Sequence, residues 1–337
     1  MLNFAEFQEY AKNHIKEYLP DEYANAEVSL STVDKNNGLQ LHAILVRPEN
    51  SNISPTIYLE GFFKKYEEGA GIKDIMGTVA ETVVKHQNAP EGTENIAQQF
   101  RDFEFIKERV IMTAVNAERN QRMLENTPHT MKEDLAIIYK VLLDPSNEGM
   151  ATITIKNEHM DFWGVTKETL HELAVNNSNR ILPATVRGMN EIMMEMMGRD
   201  MLPEIAEAIM ADMTAEEQMF VISNSANVNG ASALFYSDAL EKLSEKVGTD
   251  LYILPSSVHE CIAVSSEMGT PESLAEMVQE VNGTQVAIDE QLSDHVYFYD
   301  AKSKDITLAD TTVEDLGITL PSETQSIDAA NRAAGRH

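Results

Sequence analysis

The chain of 337 residues contains one cysteine, Cys261, and one tryptophan, Trp163. A single cysteine cannot form an internal disulfide, and it excludes zinc sites built from paired cysteines. Nothing in the composition therefore indicates an oxidising compartment, and we expect a cytoplasmic protein. On an extended strand His259 and Cys261 would stand about 6–7 Å apart, too far for a direct hydrogen bond. We therefore expect Cys261 to be a small buried side chain rather than an activated thiolate.

Basic residues are scarce. There are 26 Lys and Arg residues against 55 Asp and Glu residues, which gives a formal net charge of −29. Such a charge repels phosphate backbones and anionic membrane surfaces over about a Debye length. We expect no direct binding to nucleic acid and none to membranes. Two interpretations of the charge stay open: solubility, and a surface that imitates a nucleic acid to occupy a basic site on another protein.

The sequence also lacks a long hydrophobic run. Its most apolar stretch, residues 135–143, contains Lys140 and is about half as long as a membrane-spanning helix. The first 19 residues carry Glu6, Glu9 and Lys12 within their apolar pattern, which is not typical of a signal peptide. We expect a soluble protein that is neither secreted nor membrane-spanning.

Familiar catalytic and nucleotide-binding motifs are missing as well. The sequence has no glycine-rich phosphate loop, no Gly-x-Ser-x-Gly elbow and no His-Glu-x-x-His helix. We therefore predict no cofactor and no resident metal ion.

Hydrophobic patterning predicts an α+β fold. Residues 27–33 and 39–47 indicate two strands joined by Asn36-Asn37-Gly38, a sequence that tolerates the positive φ of a hairpin turn. Further strands are predicted at 109–115, 135–143 and 151–155, and a β-α-β-β-α-β-β order follows residue 218. We predict two mixed α/β domains joined by a methionine-rich helical segment. Their bounds are 1–188 for the N-terminal domain, 189–217 for the connector, 218–320 for the C-terminal domain and 321–337 for a flexible tail.

Methionine is concentrated in one segment. Nine of the 18 methionines lie between Met189 and Met219. Such a flexible, polarizable surface suits an irregular core or a partner that changes shape, and thioether sulfur also binds Cu(I). Core or inter-domain packing, an adaptable binding surface and a copper site are the alternatives. The candidate binding residues are Met193, Met194, Met196, Met197, Ser256 and Ser257.

Two polar clusters lie in the predicted C-terminal domain. His259 and Glu260 end the segment LPSSVHE, and Asp294 and His295 belong to LSDH. On an extended strand Glu260 would share its face with three apolar residues, where a carboxylate must be paired or protonated. Alternatively, Glu260 stands where the strand begins and bonds nearby backbone N–H groups. If the clusters converge, they form a nitrogen and oxygen set suited to a divalent metal or to acid–base work. A polar network without catalysis is the alternative.

Several stretches together resemble an uncharacterised family of low-GC Gram-positive bacteria. They are NAERN at 116–120, PHTMKEDLAIIY at 128–139, LPSSVHE at 254–260, VNGTQV at 281–286 and LSDHVYFYD at 292–300. The resemblance covers residue 1 to about residue 310. It implies a bacterial protein with a domain of unknown function, from a family often met near mobile elements. It implies no catalytic residue, substrate or cofactor.

Two functions are compatible with the sequence. The first is a non-enzymatic protein-binding or regulatory protein with a protein partner, as an accessory or host-interaction factor of a mobile element. The net charge, the methionine cluster and the missing catalytic motifs favour it. The second is a hydrolase-like or metal-assisted enzyme with Glu260 as general base and His259, Asp294 and His295 beside it. The sequence does not specify the oligomeric state.

Overall fold

The computed structural model describes residues 1–49, 54–86, 99–144, 150–197, 219–312 and 315–317. The chain forms two units, Met1–Phe100 and Arg101–His337. Both units combine helices with antiparallel sheets, which confirms the predicted α+β class. None of the described helices has the length and the hydropathy needed to cross a bilayer.

The first unit contains a three-stranded antiparallel sheet, in the order β1 (Glu27–Asp34), β2 (Gln40–Arg47) and β3 (Thr56–Tyr58). Asn37 and Gly38 adopt positive φ angles of 57° and 69° between β1 and β2, which confirms the predicted hairpin. Its helices are α1 (Phe4–His14), α2 (Glu60–Glu67) and α3 (Ile72–Lys85). α1 and α3 bury their apolar stripes in one hydrophobic core with the sheet.

A four-stranded antiparallel sheet begins the second unit. It comprises β4 (Val110–Asn116), β5 (His129–Lys132), β6 (Leu135–Asp144) and β7 (Ala151–Thr154). β6 is central, with β4 on one side and both β5 and β7 on the other. The helices of this part are α4 (Phe103–Lys107), α5 (Gln121–Leu124), α6 (Asn157–Trp163) and α7 (Lys167–Ile181).

The second sheet of this unit has six strands in the order β13-β12-β10-β11-β9-β8, all antiparallel. They are β8 (Ala184–Gly188), β9 (Phe220–Asn224), β10 (Leu251–Pro255), β11 (Cys261–Ser265), β12 (Tyr297–Tyr299) and β13 (Ile306–Leu308). Three helices accompany them: α8 (Met189–Met197), α9 (Ala239–Val247) and α10 (Pro271–Thr284).

The division between the units falls at Phe100, whereas the sequence places the end of its first domain at residue 188. β8, which ends at Gly188, pairs with β9 from the predicted C-terminal domain, so one sheet takes strands from both predicted domains. Of the predicted connector 189–217, residues 198–217 lie outside the described residues. The predicted tail 321–337 also lies outside them.

Candidate functional site

A buried carboxylate, Asp134, lies where the turn after β5 meets the six-stranded sheet. Asp134 is 2% exposed and follows Glu133, which has a positive φ of 55°. Ser293 Oγ donates a hydrogen bond to Asp134 Oδ2 at 2.6 Å, and Tyr297 Oη donates to Oδ1 at 2.5 Å. Burial raises the pKa of Asp134, and the two hydrogen bonds oppose that rise. Asp134 thereby links the β5–β6 hairpin of the four-stranded sheet to β12 of the six-stranded sheet.

His295 forms an ion pair beside this carboxylate. Its Nδ1 donates to Asp310 Oδ2 at 2.9 Å, and the Val296 N–H donates to Asp310 Oδ1 at 3.0 Å. The hydrogen bond to Asp310 raises the pKa of His295, although burial opposes it. Burial alone would raise the pKa of Asp310, but the hydrogen bonds from His295 and Val296 lower it overall. The pair therefore favours the charged forms of both residues.

Asp294 faces a different group. Arg119 Nη2 donates to Asp294 Oδ2, and Arg119 Nη1 donates to Gln291 Oε1 at 2.7 Å. Asn282 Nδ2 donates to the other Asp294 oxygen at 2.7 Å. Arg119 thus connects the turn that follows β4 to the loop before β12, and its guanidinium balances the Asp294 charge.

His259 is positioned by the backbone of a neighbouring loop. Its Nδ1 accepts a hydrogen bond from the Asn229 N–H at 3.1 Å, which places the proton of the neutral ring on Nε2. Nε2 lies 3.6 Å from Glu290 Oε1, and the Val258 N–H donates to the Glu290 carbonyl at 2.8 Å. The LPSSVHE segment therefore meets the chain just before LSDH through Glu290.

Gly230 allows the Asn229 loop to lie against His259. A Cβ at Gly230 would stand 2.2 Å from Ser223 Oγ, 2.5 Å from the His259 carbonyl oxygen and 2.7 Å from the Asn224 nitrogen. Since two of these three neighbours are backbone atoms, the loop can approach this closely only with glycine at the position.

Glu260 stands outside the strand. β11 begins at Cys261, so the face shared with three apolar residues does not form. Glu260 lies at the strand start, as in the alternative interpretation, but among the described residues its carboxylate lacks the backbone hydrogen bonds that this interpretation expected. In the described part of the chain its carboxylate makes no hydrogen bond or ion pair. Ser257 Oγ accepts from the His259 N–H at 3.0 Å, and Ser256 is part-buried. Cys261 is fully buried, and burial raises the pKa of its thiol, which disfavours a thiolate.

The candidate ligands thus pair separately: His259 with Glu290, Asp294 with Arg119, and His295 with Asp310. Across the described ranges, no three His, Cys, Asp or Glu side chains are grouped so that they could hold a metal ion. In this region the polar side chains form a network that cross-links neighbouring segments of the chain.

The described start of the methionine segment is α8, which directly follows the edge strand β8. Met193 on α8 is 42% exposed and Met194 is part-buried. The structure does not describe the side chains of Met196 and Met197. Glu195 pairs with Arg187 of β8 at 2.5 Å, which ties α8 to that strand.

A groove lies between β8 and α9. Its volume is about 270 Å³, and its lining residues are Ala184, Val186, Asp238, Ala239, Lys242, Leu243 and Lys246. Val186 is 39% exposed on this edge strand. We call the outer edge of β8, this groove and the exposed part of α8 the β8 surface.

Several residues of the network were not among the sequence candidates, namely Arg119, Asp134, Glu290, Tyr297 and Asp310. Asp134 carried a usable signal, because a carboxylate directly before the apolar run 135–139 must find partners once that strand is buried. The other four residues carried no such signal, because their partners are far away in the sequence.

A family model described as a family of unknown function, DUF5688, matches residues 4–301. No curated protein and no solved structure matches the chain.

Proposed function

We propose that this chain, which belongs to the DUF5688 family, is a protein-binding or regulatory protein that receives an extended apolar segment of its partner at the β8 surface. The observation that carries the proposal is the position of β8 at the edge of the six-stranded sheet, beside exposed apolar side chains.

An edge strand presents unpaired backbone N–H and C=O groups, which a strand from another chain can pair with. β8 pairs with β9 on its inner side, and within the described ranges no strand pairs with its outer side. Backbone hydrogen bonds would hold an incoming strand, and the groove beside β8 would receive every second side chain.

The exposed apolar side chains supply the hydrophobic contribution. Val186 lines the groove, and Met193 stands on the helix that follows β8. Methionine adapts its shape to different apolar partners, which suits a recognition surface.

Local charge also favours a partner here. The β8 surface carries Arg187, Lys242 and Lys246 against Glu191, Glu195 and Asp238, three basic and three acidic residues, whereas the whole chain has 26 against 55. An apolar segment would therefore meet a surface with equal numbers of basic and acidic residues, on a protein whose net charge is strongly negative.

The polar network supports binding rather than catalysis. The histidines and carboxylates predicted as catalytic candidates are engaged with Arg119, Glu290, Asp310 and backbone groups, except for Glu260. A general base must lie within hydrogen-bond reach of a substrate proton. The candidate residues instead form hydrogen bonds and ion pairs with other parts of the protein.

Selection from a random 12-residue peptide library tests the proposal. We expect the full chain to enrich peptides with alternating apolar residues, and Val186→Glu or Met193→Glu to weaken their binding at least about tenfold. Met277→Glu is the matched control, since Met277 is 47% exposed on α10. The proposal fails if no such peptide is enriched, or if Met277→Glu weakens binding as much as the other two.

A further inference from the structure

A second cleft lies within the second unit, between the start of α9, the start of β13 and the end of β5. Its volume is about 450 Å³, which is in the range of pockets that hold small molecules. Among its lining residues, Leu234 and Leu240 are buried, whereas Lys132 and Asp305 are exposed. The cleft therefore has an apolar base and a charged mouth that is open to solvent.

Two contacts hold the walls of this cleft together. The Glu133 carboxylate, next to Lys132, accepts a hydrogen bond from the Leu308 N–H, which holds the end of β5 against β13. Glu241 of α9 forms an ion pair with Lys304, which lies just before β13. The start of β13 is thus tied both to the four-stranded sheet and to α9.

The charged residues of the cleft include one cation and one anion without a partner. The other three charged lining residues form ion pairs, namely Asp238, Glu241 and Lys304. Among the described residues, the side chains of Lys132 and Asp305 have neither an ion pair nor a hydrogen bond. A ligand with one negative and one positive group would meet both of them. A polyanion would meet more carboxylates than lysines, so the lining disfavours it.

Tyr299 brings a buried hydroxyl group to the same cleft. It lines the cleft and is 4% exposed, and its hydroxyl has no hydrogen-bond partner in the part of the chain that the structure describes. Burial is the main cause that raises the pKa of Tyr299, so the phenol keeps its proton and can donate it. Buried hydroxyl groups nearly always have partners, so this one indicates where an acceptor atom of a ligand belongs.

The first turn of α9 also borders the cleft. Leu240 and Glu241 line it, and their N–H groups have no acceptor among the described residues. The N-cap residue Asp238 makes no side-chain capping hydrogen bond, so it satisfies neither group. The N-terminus of a helix carries a partial positive charge and favours an anionic group nearby. The negative end of a ligand is therefore expected next to this turn.

We infer that this cleft binds a free apolar amino acid. Lys132, the Tyr299 hydroxyl and the first turn of α9 bind its carboxylate, and Asp305 binds its ammonium group. Its side chain packs against the apolar lining, which includes Val175 and Phe235. Binding here does not depend on the partner segment proposed for the β8 surface.

Isothermal titration calorimetry on the full chain tests the inference with three matched compounds. They are L-phenylalanine, 3-phenylpropanoate, which lacks the ammonium group, and 2-phenylethylamine, which lacks the carboxylate. L-Leucine is titrated in parallel. We expect an amino acid to bind with a Kd of about 1 mM or below, and each analogue to bind at least about tenfold more weakly than L-phenylalanine. The inference is overturned if neither amino acid binds, or if either analogue binds as tightly as L-phenylalanine.

Substitutions show whether the amino acid binds in this cleft. Tyr299→Phe, Lys132→Met and Asp305→Asn should each weaken its binding about tenfold. Tyr299→Phe should keep the melting temperature of the wild type, because the hydroxyl has no partner in the described structure. Lys302→Met is the control for Lys132→Met, since Lys302 is exposed near the cleft but does not line it. If Tyr299→Phe and Lys132→Met bind the amino acid as tightly as Lys302→Met does, it binds elsewhere and the inference is overturned.

Discussion

The Tyr297 hydroxyl donates a hydrogen bond to Asp134 Oδ1 at 2.5 Å, although 163 residues separate the two in the sequence. Both residues are 2% exposed. Burial raises the pKa of Tyr297 far above its ordinary value, and the Asp134 carboxylate adds to that effect. Because Ser293 bonds the second oxygen of Asp134, both oxygens of this buried carboxylate have partners. The contact therefore fastens the β5–β6 hairpin to the six-stranded sheet within the second unit.

Tyr297→Phe should destabilise the protein by about 1–3 kcal/mol, because it leaves Asp134 Oδ1 buried without its donor. Urea unfolding followed by circular dichroism measures the change. Tyr252→Phe is the matched control on the neighbouring strand β10, where Tyr252 packs against Phe298 and its change should stay within about 0.5 kcal/mol. Equal effects of the two substitutions would contradict a specific role for the Asp134 contact.

The pair of His295 and Asp310 predicts a pH dependence of stability. The pKa of His295 is raised from 6.5, so its contribution is complete below pH 6.5 and is lost as the pH rises through the folded-state pKa. The pKa of Asp310 is lowered from 3.8, so its contribution is complete above pH 3.8 and is lost as the pH falls through the folded-state pKa. The ion pair therefore stabilises most between these two ordinary values.

His295→Gln should cost about 1–2 kcal/mol at pH 5, since it removes a part-buried charged hydrogen bond, and progressively less at alkaline pH. Unfolding in urea from pH 4 to pH 9 follows this trend. His86→Gln provides the control, because His86 is exposed on the first unit and its substitution should leave the pH profile unchanged. A cost for His295→Gln that stays constant from pH 5 to pH 9 would refute the ion pair.

Gly230→Ala should destabilise by about 3 kcal/mol or more, because the new methyl group overlaps Ser223 Oγ and two backbone atoms. Gly283→Ala is its counterpart. Nothing lies within 4 Å of a Cβ at Gly283 on α10, so alanine should stabilise the helix there by up to about 1 kcal/mol. Thermal unfolding of both variants checks the prediction, and a neutral Gly230→Ala would mean that the loop lies further from His259.

Local patterns predicted much of the fold. The β1–β2 hairpin follows from Asn37 and Gly38, and the β-α-β-β-α-β-β order predicted after residue 218 is the order of β9, α9, β10, β11, α10, β12 and β13. Between β4 and β5 the α-helix is short, Gln121–Leu124. Ahead of it the Asn116 side chain accepts a hydrogen bond from the Arg119 N–H at 2.9 Å and holds a turn.

The sequence patterns did not predict which residues pair when they are far apart in the sequence. β8, the sequence ATVRG, is short and carries an arginine, so its hydrophobic alternation is weak, and its pairing with β9 joins segments separated by the methionine-rich residues. His295 and Asp294 were found as polar residues before a strand. Their partners Asp310 and Arg119 are set by tertiary structure, which single-residue chemistry does not encode.

Hydrogen–deuterium exchange tests the partner surface most directly. The full chain is measured alone and saturated with a peptide selected from the random library, and exchange is compared residue by residue. Strand addition predicts slower exchange within Ala184–Gly188 when the peptide is bound, with the Met277 region of α10 unchanged. Slower exchange confined to other elements, with Ala184–Gly188 unaltered, would contradict the β8 surface as the binding site.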